Sequence, residues 1–147
     1  LITGILMLIA EIINKKIGDI HDITLPTAII MGFMQALAIF PGISRSGATI
    51  SGGMFRHIRR ESAARFSFLM SIPIMLAAGA LSTYQLATEV SDPNGFIPVM
   101  ALGFVTAAVV GYIAIRWLLK FLSNHSLIYF SLYCFLLGGT TIIIWFL

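Results

Sequence analysis

A chain of 147 residues, 59% of them hydrophobic and 10% charged, lacks the polar surface of a soluble domain, where about a quarter of residues carry charge. Its net charge of +3 lies in short clusters between apolar runs. That pattern follows the positive-inside rule and excludes a nucleic-acid surface, which needs a basic patch on a polar face. The single cysteine, Cys134, excludes an internal disulfide and a thiolate metal cluster. Composition predicts an all-α integral membrane protein forming a single membrane domain over residues 1–147.

Leu1 to Ile13 is apolar and too short for a whole span, which takes about 20 residues. It has no basic flank or small-residue cleavage site, so it is not a signal peptide. It reads as the end of a transmembrane helix, and the chain as the C-terminal portion of a longer protein. Glu11 near its end is expected to pair at i,i+4 with Lys15. Asp19, His21 and Asp22 follow in a polar connection. One His between two Asp, without further donors at fixed spacing, reads as a solvated loop rather than a metal site.

Leu25 to Phe40 is helical in pattern, with Pro26 at its start and Pro41-Gly42 ending it. A second short helix is expected from Ala48 to Phe55. Two half-length helices joined by a Gly/Ser loop predict a re-entrant hairpin over residues 25–55. His57 to Arg65 reads as a basic connection, a cytoplasmic topology determinant, with Arg65 placed to reach a phosphate. Spans are expected at residues 66–87, with Pro73 as a kink, at 96–119, closed by Arg116 and Lys120, and at 127–147. Between the first two lies an acidic outer loop carrying Glu89 and Asp92. Lys15 and Lys16 share one side with the Arg56–Arg65 cluster only if the segment between them does not cross, which independently favours the hairpin. Eight of the nine Lys and Arg residues then fall at membrane edges, and Arg45 is the exception.

Arg45 stands in P-G-I-S-R-S-G-A-T-I-S-G-G, Pro41 to Gly53. Irregular backbone belongs at membrane depth only where protein walls a cavity, and a cation there marks function. The guanidinium offers a fork of donors that matches phosphate oxygens. Ser44, Ser46 and Thr49 offer hydroxyls, and Gly42 and Gly47 let the backbone turn and approach closely. A helix starting near Ala48 adds free N–H groups and a dipole end of the right sign. All favour an anion. The competing reading is small-residue helix packing with Arg45 paired to a structural carboxylate.

The run G-x-x-Q-A-x-A-x-x-P-G-x-S-R-S-G-A-T, from Gly32 through Gln35 to Thr49, resembles the second signature of the bacterial undecaprenyl pyrophosphate phosphatases, the bacitracin-resistance family. The run A-R-F-S-F-L-x-x-x-P, Ala64 to Pro73, is similar too. The resemblance implies a membrane hydrolase that removes the terminal phosphate of undecaprenyl diphosphate and recycles the lipid carrier of peptidoglycan synthesis. It implies one half of an inverted-repeat fold, a bacterial inner-membrane location and a divalent cation, magnesium or calcium. It assigns Ser44, Arg45 and Ser46 to catalysis. Thr49 matches the same pyrophosphate-binding loop. Gly42, Gly47 and Arg65 are expected at the phosphate from their own chemistry, with Gln35 of the matched run beside them, unable to do a carboxylate's work. The lipid tail is expected along the apolar helices, in a groove of Phe66, Phe68 and Met70. The family's other signature, a Glu-rich motif followed by P-x-S-S-T-G-H, has no match here, so metal ligands are expected elsewhere and this chain alone is expected to be inactive. Partners implied are the polyprenyl diphosphate and membrane lipids, with no nucleic acid; a homo-oligomer is compatible. The rival function is a transporter or flippase for a lipid-linked or anionic solute, because re-entrant hairpins also serve transport. A third is a purely structural membrane module.

Overall fold

The computed structural model describes residues 1–89 and 97–146. Six α-helices follow one another: α1 (Ile2–Ile13), α2 (Leu25–Leu37), α3 (Arg45–Phe55), α4 (Arg60–Glu89), α5 (Ile97–Asn124) and α6 (Ile128–Phe146). A single 3-10 turn, Ile20–Asp22, precedes α2. Among the described residues there is no β-strand, only one isolated bridge between Gly18 and Ile58. Asp92 of the expected outer loop and the last residue, Leu147, lie outside the described residues.

Three helices, α4, α5 and α6, are long and apolar enough to cross a membrane. Their large side chains, among them Leu76, Phe104, Ile113 and Ile144, face outward. In water such surfaces would drive aggregation; in hydrocarbon they cost nothing. The chain is an all-α, multi-pass integral membrane protein. The helices α1 and α2, of 12 and 13 residues, reach only about 20 Å at 1.5 Å per residue, short of a bilayer core of about 30 Å.

The buried element is α3, built of glycine, serine, threonine and alanine with few large side chains. Every residue from Gly47 to Met54 is buried. Small residues make this possible, because helices at membrane depth gain by close packing rather than by bulk hydrophobicity. A Cβ built on Gly52 would lie 3.0 Å from Met34 of α2, and one on Gly53 would lie 2.9 Å from Ala63 of α4. Around α3, Met7 and Ala10 of α1, Met31 of α2, Ala63 and Ala64 of α4, and Leu122 and Leu127 at the α5–α6 turn complete the core. Ser131 of α6 donates to the Gly4 carbonyl of α1 at 2.6 Å, a buried bond that ties the last helix to the first.

The chain leaving α1 is stitched to the chain leaving α3. Ile17 N and Gly18 N both donate to His57 O at 3.1 Å, and Arg59 N donates to Gly18 O at 2.8 Å. Asn14 Nδ2 adds a buried bond to Ile58 O at 2.9 Å. The chain at the end of α3 thus lies beside the chain at the end of α1, and Lys15 and Lys16 are neighbours of the turn that carries Arg56 and Arg59.

Several boundaries differ from expectation. The basic stretch from Arg60 to Arg65 is not connection but the first turns of α4, where Glu61 accepts from Arg65 at i,i+4. Pro73 lies inside α4, as expected. Helix α5 runs on to Asn124, so Arg116 and Lys120 lie within it rather than at its close. Glu11 does not pair with Lys15. Its side chain is buried and its Oε1 sits 3.2 Å from Lys16 Nζ and 3.7 Å from an Arg60 nitrogen. The reason is the turn at Asn14. Asn14 Oδ1 accepts from Lys16 N at 2.7 Å, and Lys16 takes the left-handed conformation at φ 56, which swings it back onto α1.

The Asp-Ile-His-Asp connection is structural. Asp19 and Asp22 form a capping box on the 3-10 turn. Asp19 also meets Ser62 Oγ at 2.5 Å and Arg59 at 3.1 Å, fixing this turn against the start of α4. The Ser62 hydroxyl first and then the Ile20 N–H hold the Asp19 carboxyl below its ordinary value of 3.8; burial opposes them, and the Arg59 charge adds less than either bond. A lowered carboxylate pKa contributes stability that is present above the ordinary value and drains as pH falls through the lowered one. In Asp19→Asn, the melting temperature in detergent is expected to fall less steeply below pH 3.8 than in the parent chain. Equal slopes would show that the contact adds nothing.

A candidate anion site at the start of α3

The segment after α2 turns through residues 38–43, held by Phe40 N to Leu37 O at 3.2 Å and Ile43 N to Phe40 O at 3.3 Å. Gly42 sits at φ +90 with open space around it. Glycine is needed there for backbone conformation, not for room. Ser44 is the N-cap of α3, and its Oγ accepts from Gly47 N at 3.2 Å. The helix thus begins at Arg45, three residues earlier than the expected Ala48. The Ser-Arg-Ser-Gly run is its first turn rather than a loop.

The cap leaves the N–H groups of Arg45 and Ser46 without a protein partner among the described residues, because the first helical bond is Ala48 N to Ser44 O at 2.9 Å. The Arg45 side chain is half-buried and lines a cavity of about 390 Å³ with Gly32, Gln35, Ala36, Ala38, Ile39 and Ile74. It is the only charged group among the residues lining that cavity. Among the described residues the guanidinium has no carboxylate partner. Behind it, Thr49 Oγ1 donates to Arg45 O at 2.8 Å and lies 3.4 Å from Gln35 Oε1, which couples α2 to the first turn of α3.

The remaining candidates divide. Ser44 Oγ and Ser46 Oγ lie 3.5 Å apart at the exposed helix start. Ser46 also lines a separate small cavity with Met7, Ile50 and Phe130. Arg65 is not brought to Arg45. It pairs with Glu61 at 2.6 Å and edges a third cavity, of about 450 Å³, between α4 and α5. Nor do Phe66, Phe68 and Met70 line one groove. Phe68 faces the α4–α5 cavity, while Met70 points to α2, with its Cε 3.7 Å from a Cβ built on Gly32. At 100° per residue, positions 68 and 70 of a helix point about 200° apart.

Thr3 of α1 is a site residue that sequence reasoning missed. It is buried, its Oγ1 accepts from Ser44 N at 2.9 Å, and it approaches Gly42 O at 3.5 Å. No local signal in the chain joins residues 3 and 44. The divalent cation implied by the resemblance finds no donor set here. Among the described residues no group of three or more His, Cys, Asp or Glu could hold a metal, and the Arg45 cavity holds no carboxylate.

The fold is that of an all-α multi-pass membrane protein whose small-residue core carries an arginine at a helix start, beside two free helix N–H groups and on a cavity. The chain belongs to the family described as Bacitracin resistance protein BacA, which matches residues 1–140. It is similar to a protein named undecaprenyl-diphosphatase from Corynebacterium striatum, 42% identical over 139 residues, covering 92% of this chain and 48% of the relative. A protein of the same name from Synechococcus elongatus is 38% identical over 139 residues, 95% of this chain and 48% of the relative. Another from Rubrobacter xylanophilus is 42% identical over 136 residues, 92% and 50% of the two chains. The chain spans about half the length of the curated relatives it matches.

Proposed function

We propose that this chain is the phosphate-gripping half of an undecaprenyl-diphosphate phosphatase of the bacterial inner membrane. The carrying observation is Arg45: a half-buried guanidinium with no carboxylate partner among the described residues, aimed into a cavity at a helix N-terminus. Depth supports it. Arg45 opens the 11-residue α3, whose far end leads into the basic turn, a rise of about 16 Å, or half of a bilayer core. On this reading α2 and α3 form the re-entrant hairpin, and the cavity lies at mid-membrane.

In the proposed reaction an attacking oxygen loses its proton and bonds to the terminal phosphorus as the bridging P–O bond breaks and undecaprenyl phosphate leaves. Water gives inorganic phosphate directly, whereas a serine hydroxyl gives a phosphoserine that a second attack, by water, releases as inorganic phosphate. Arg45 holds two oxygens of the transferred group, and the Arg45 and Ser46 N–H groups face the same charge. Positioning and charge stabilisation do most of the work in phosphoryl transfer. Gln35 and Thr49 hold the cavity wall and the first turn. Ser44 spends its oxygen on the cap, which leaves Ser46 the freer hydroxyl. The reading assigns the magnesium or calcium ion to ligands outside these 147 residues, and expects this chain alone to be inactive. Recycling the carrier would connect the protein to cell-wall synthesis, cell shape and bacitracin resistance.

The test uses the whole protein in vesicles carrying undecaprenyl diphosphate. Release of inorganic phosphate is expected. Movement of the intact lipid across the bilayer without release would replace the enzyme by a flippase.

A further inference from the structure

We infer that Thr3 is a positioning residue for the Arg45 turn, supplying from another helix the uncharged half of a capping box. This rests on the phosphatase reading only for its effect on turnover.

A Ser N-cap ordinarily closes the helix start with a Glu or Gln at N3, whose side chain accepts the cap's own N–H. Here N3 is Gly47, which has no side chain. The Ser44 N–H would be left without an acceptor, and Thr3 Oγ1 takes it at 2.9 Å. The same threonine accounts for the glycine: a Cβ on Gly47 would lie 2.6 Å from Thr3 Cγ2. One buried side chain therefore both replaces the N3 group and excludes it.

The substitution has an electrostatic consequence. A Glu at N3 would set a full negative charge one residue from the free N–H of Ser46, where it would compete with an incoming phosphate for the same helix end. A hydroxyl completes the cap without that charge. Thr3 also approaches Gly42 O at 3.5 Å, so it grips the turn on both sides of Ile43. Its neighbour Gly4 is held by Ser131 of α6, which gives the grip a fixed base. Arg45 inherits its placement from this cap, being the next residue.

The test compares Thr3→Val and Thr3→Ser in the whole protein. Thr3→Val keeps the shape and removes the acceptor. It is expected to lower kcat about tenfold with KM changed less than about twofold, since the loss is one of alignment. Thr3→Ser is expected to restore kcat. Amide hydrogen exchange at Ser44 reads the bond itself: protection should fall in Thr3→Val and return in Thr3→Ser. Wild-type kcat in Thr3→Val, failure of Thr3→Ser to rescue, or unchanged exchange at Ser44 each overturns the inference. If Thr3→Val does not fold, the pair Thr3→Ala with Gly47→Glu decides it by rebuilding the box internally. Ser44 protection should recover while kcat does not, and wild-type turnover by that pair refutes the need for an uncharged cap. Should Arg45→Ala also turn over normally, the phosphatase reading fails on its own, and exchange at Ser44 still judges Thr3.

Discussion

In the whole protein, Arg45→Ala is expected to slow phosphate release from undecaprenyl diphosphate by about 10³-fold or more, the scale on which an arginine contributes to phosphoryl transfer. The expectation follows from what the guanidinium does not do in the fold. Among the described residues it has no carboxylate partner and no hydrogen-bond acceptor, so its removal breaks no internal ion pair or side-chain hydrogen bond. The melting temperature in detergent should therefore stay close to that of the parent. Arg45→Lys should recover only a small part of the rate, because an ammonium is a point charge and does not reproduce the planar fork. A retained rate in Arg45→Ala would remove the residue from the mechanism. A large loss of stability with unchanged rate would return it to a structural role.

What the amino-acid order disclosed was governed by which forces are local. The three spans are long apolar runs, and composition alone marks them. Charge bias groups the two basic clusters, and the bonds from Ile17 and Gly18 to His57 place the segments that carry them side by side. Helix starts were less legible. Ser44-Arg45-Ser46-Gly47 is polar and small, the look of a loop, yet a side-chain cap turns the same residues into a first helical turn. Arg60 to Arg65 is charged, the look of a connection, yet charges are at home in a helix terminus that leaves the membrane.

Pairings across the sequence were the hardest to read. Helical spacing nominates Lys15 for Glu11, but α1 has ended by Asn14, and a left-handed Lys16 arrives instead. Arg65 carries the right charge for a phosphate, yet its position on α4 gives it to Glu61. Thr3 carries no motif at all; its role exists only once α1 has docked on α3. In the candidate site Arg45 with its neighbouring serines and glycines was visible from the chain, while the Ser44 cap and the part supplied by another helix were not.

Gly53→Val is expected to destabilise the protein by roughly 1–3 kcal/mol, the usual cost of forcing methylenes into a packed core. The argument is steric and independent of function. A Cβ at position 53 lies 2.9 Å from Ala63 Cβ and 3.1 Å from Met31 Cε and Sδ. Met31 has rotamers to spare, but Ala63 Cβ is fixed to the α4 backbone, so the helices themselves must part. Separating α3 from α4 also strains the turn at His57 and Ile58, whose carbonyls accept from Ile17, Gly18 and Asn14. Ordinarily Gly→Ala in a helix interior gains up to about 1 kcal/mol from restricted backbone freedom, less than the contact costs here, so even Gly53→Ala should lose. The comparison that isolates packing is Gly79→Ala in α4, where an added Cβ meets nothing within 4 Å and stability should not fall. Thermal unfolding of the three variants in one detergent reads the contrast. Equal melting temperatures for Gly53→Val and Gly79→Ala would mean that α3 is not gripped by its neighbours, and a helix of small polar residues would then have no reason to lie buried.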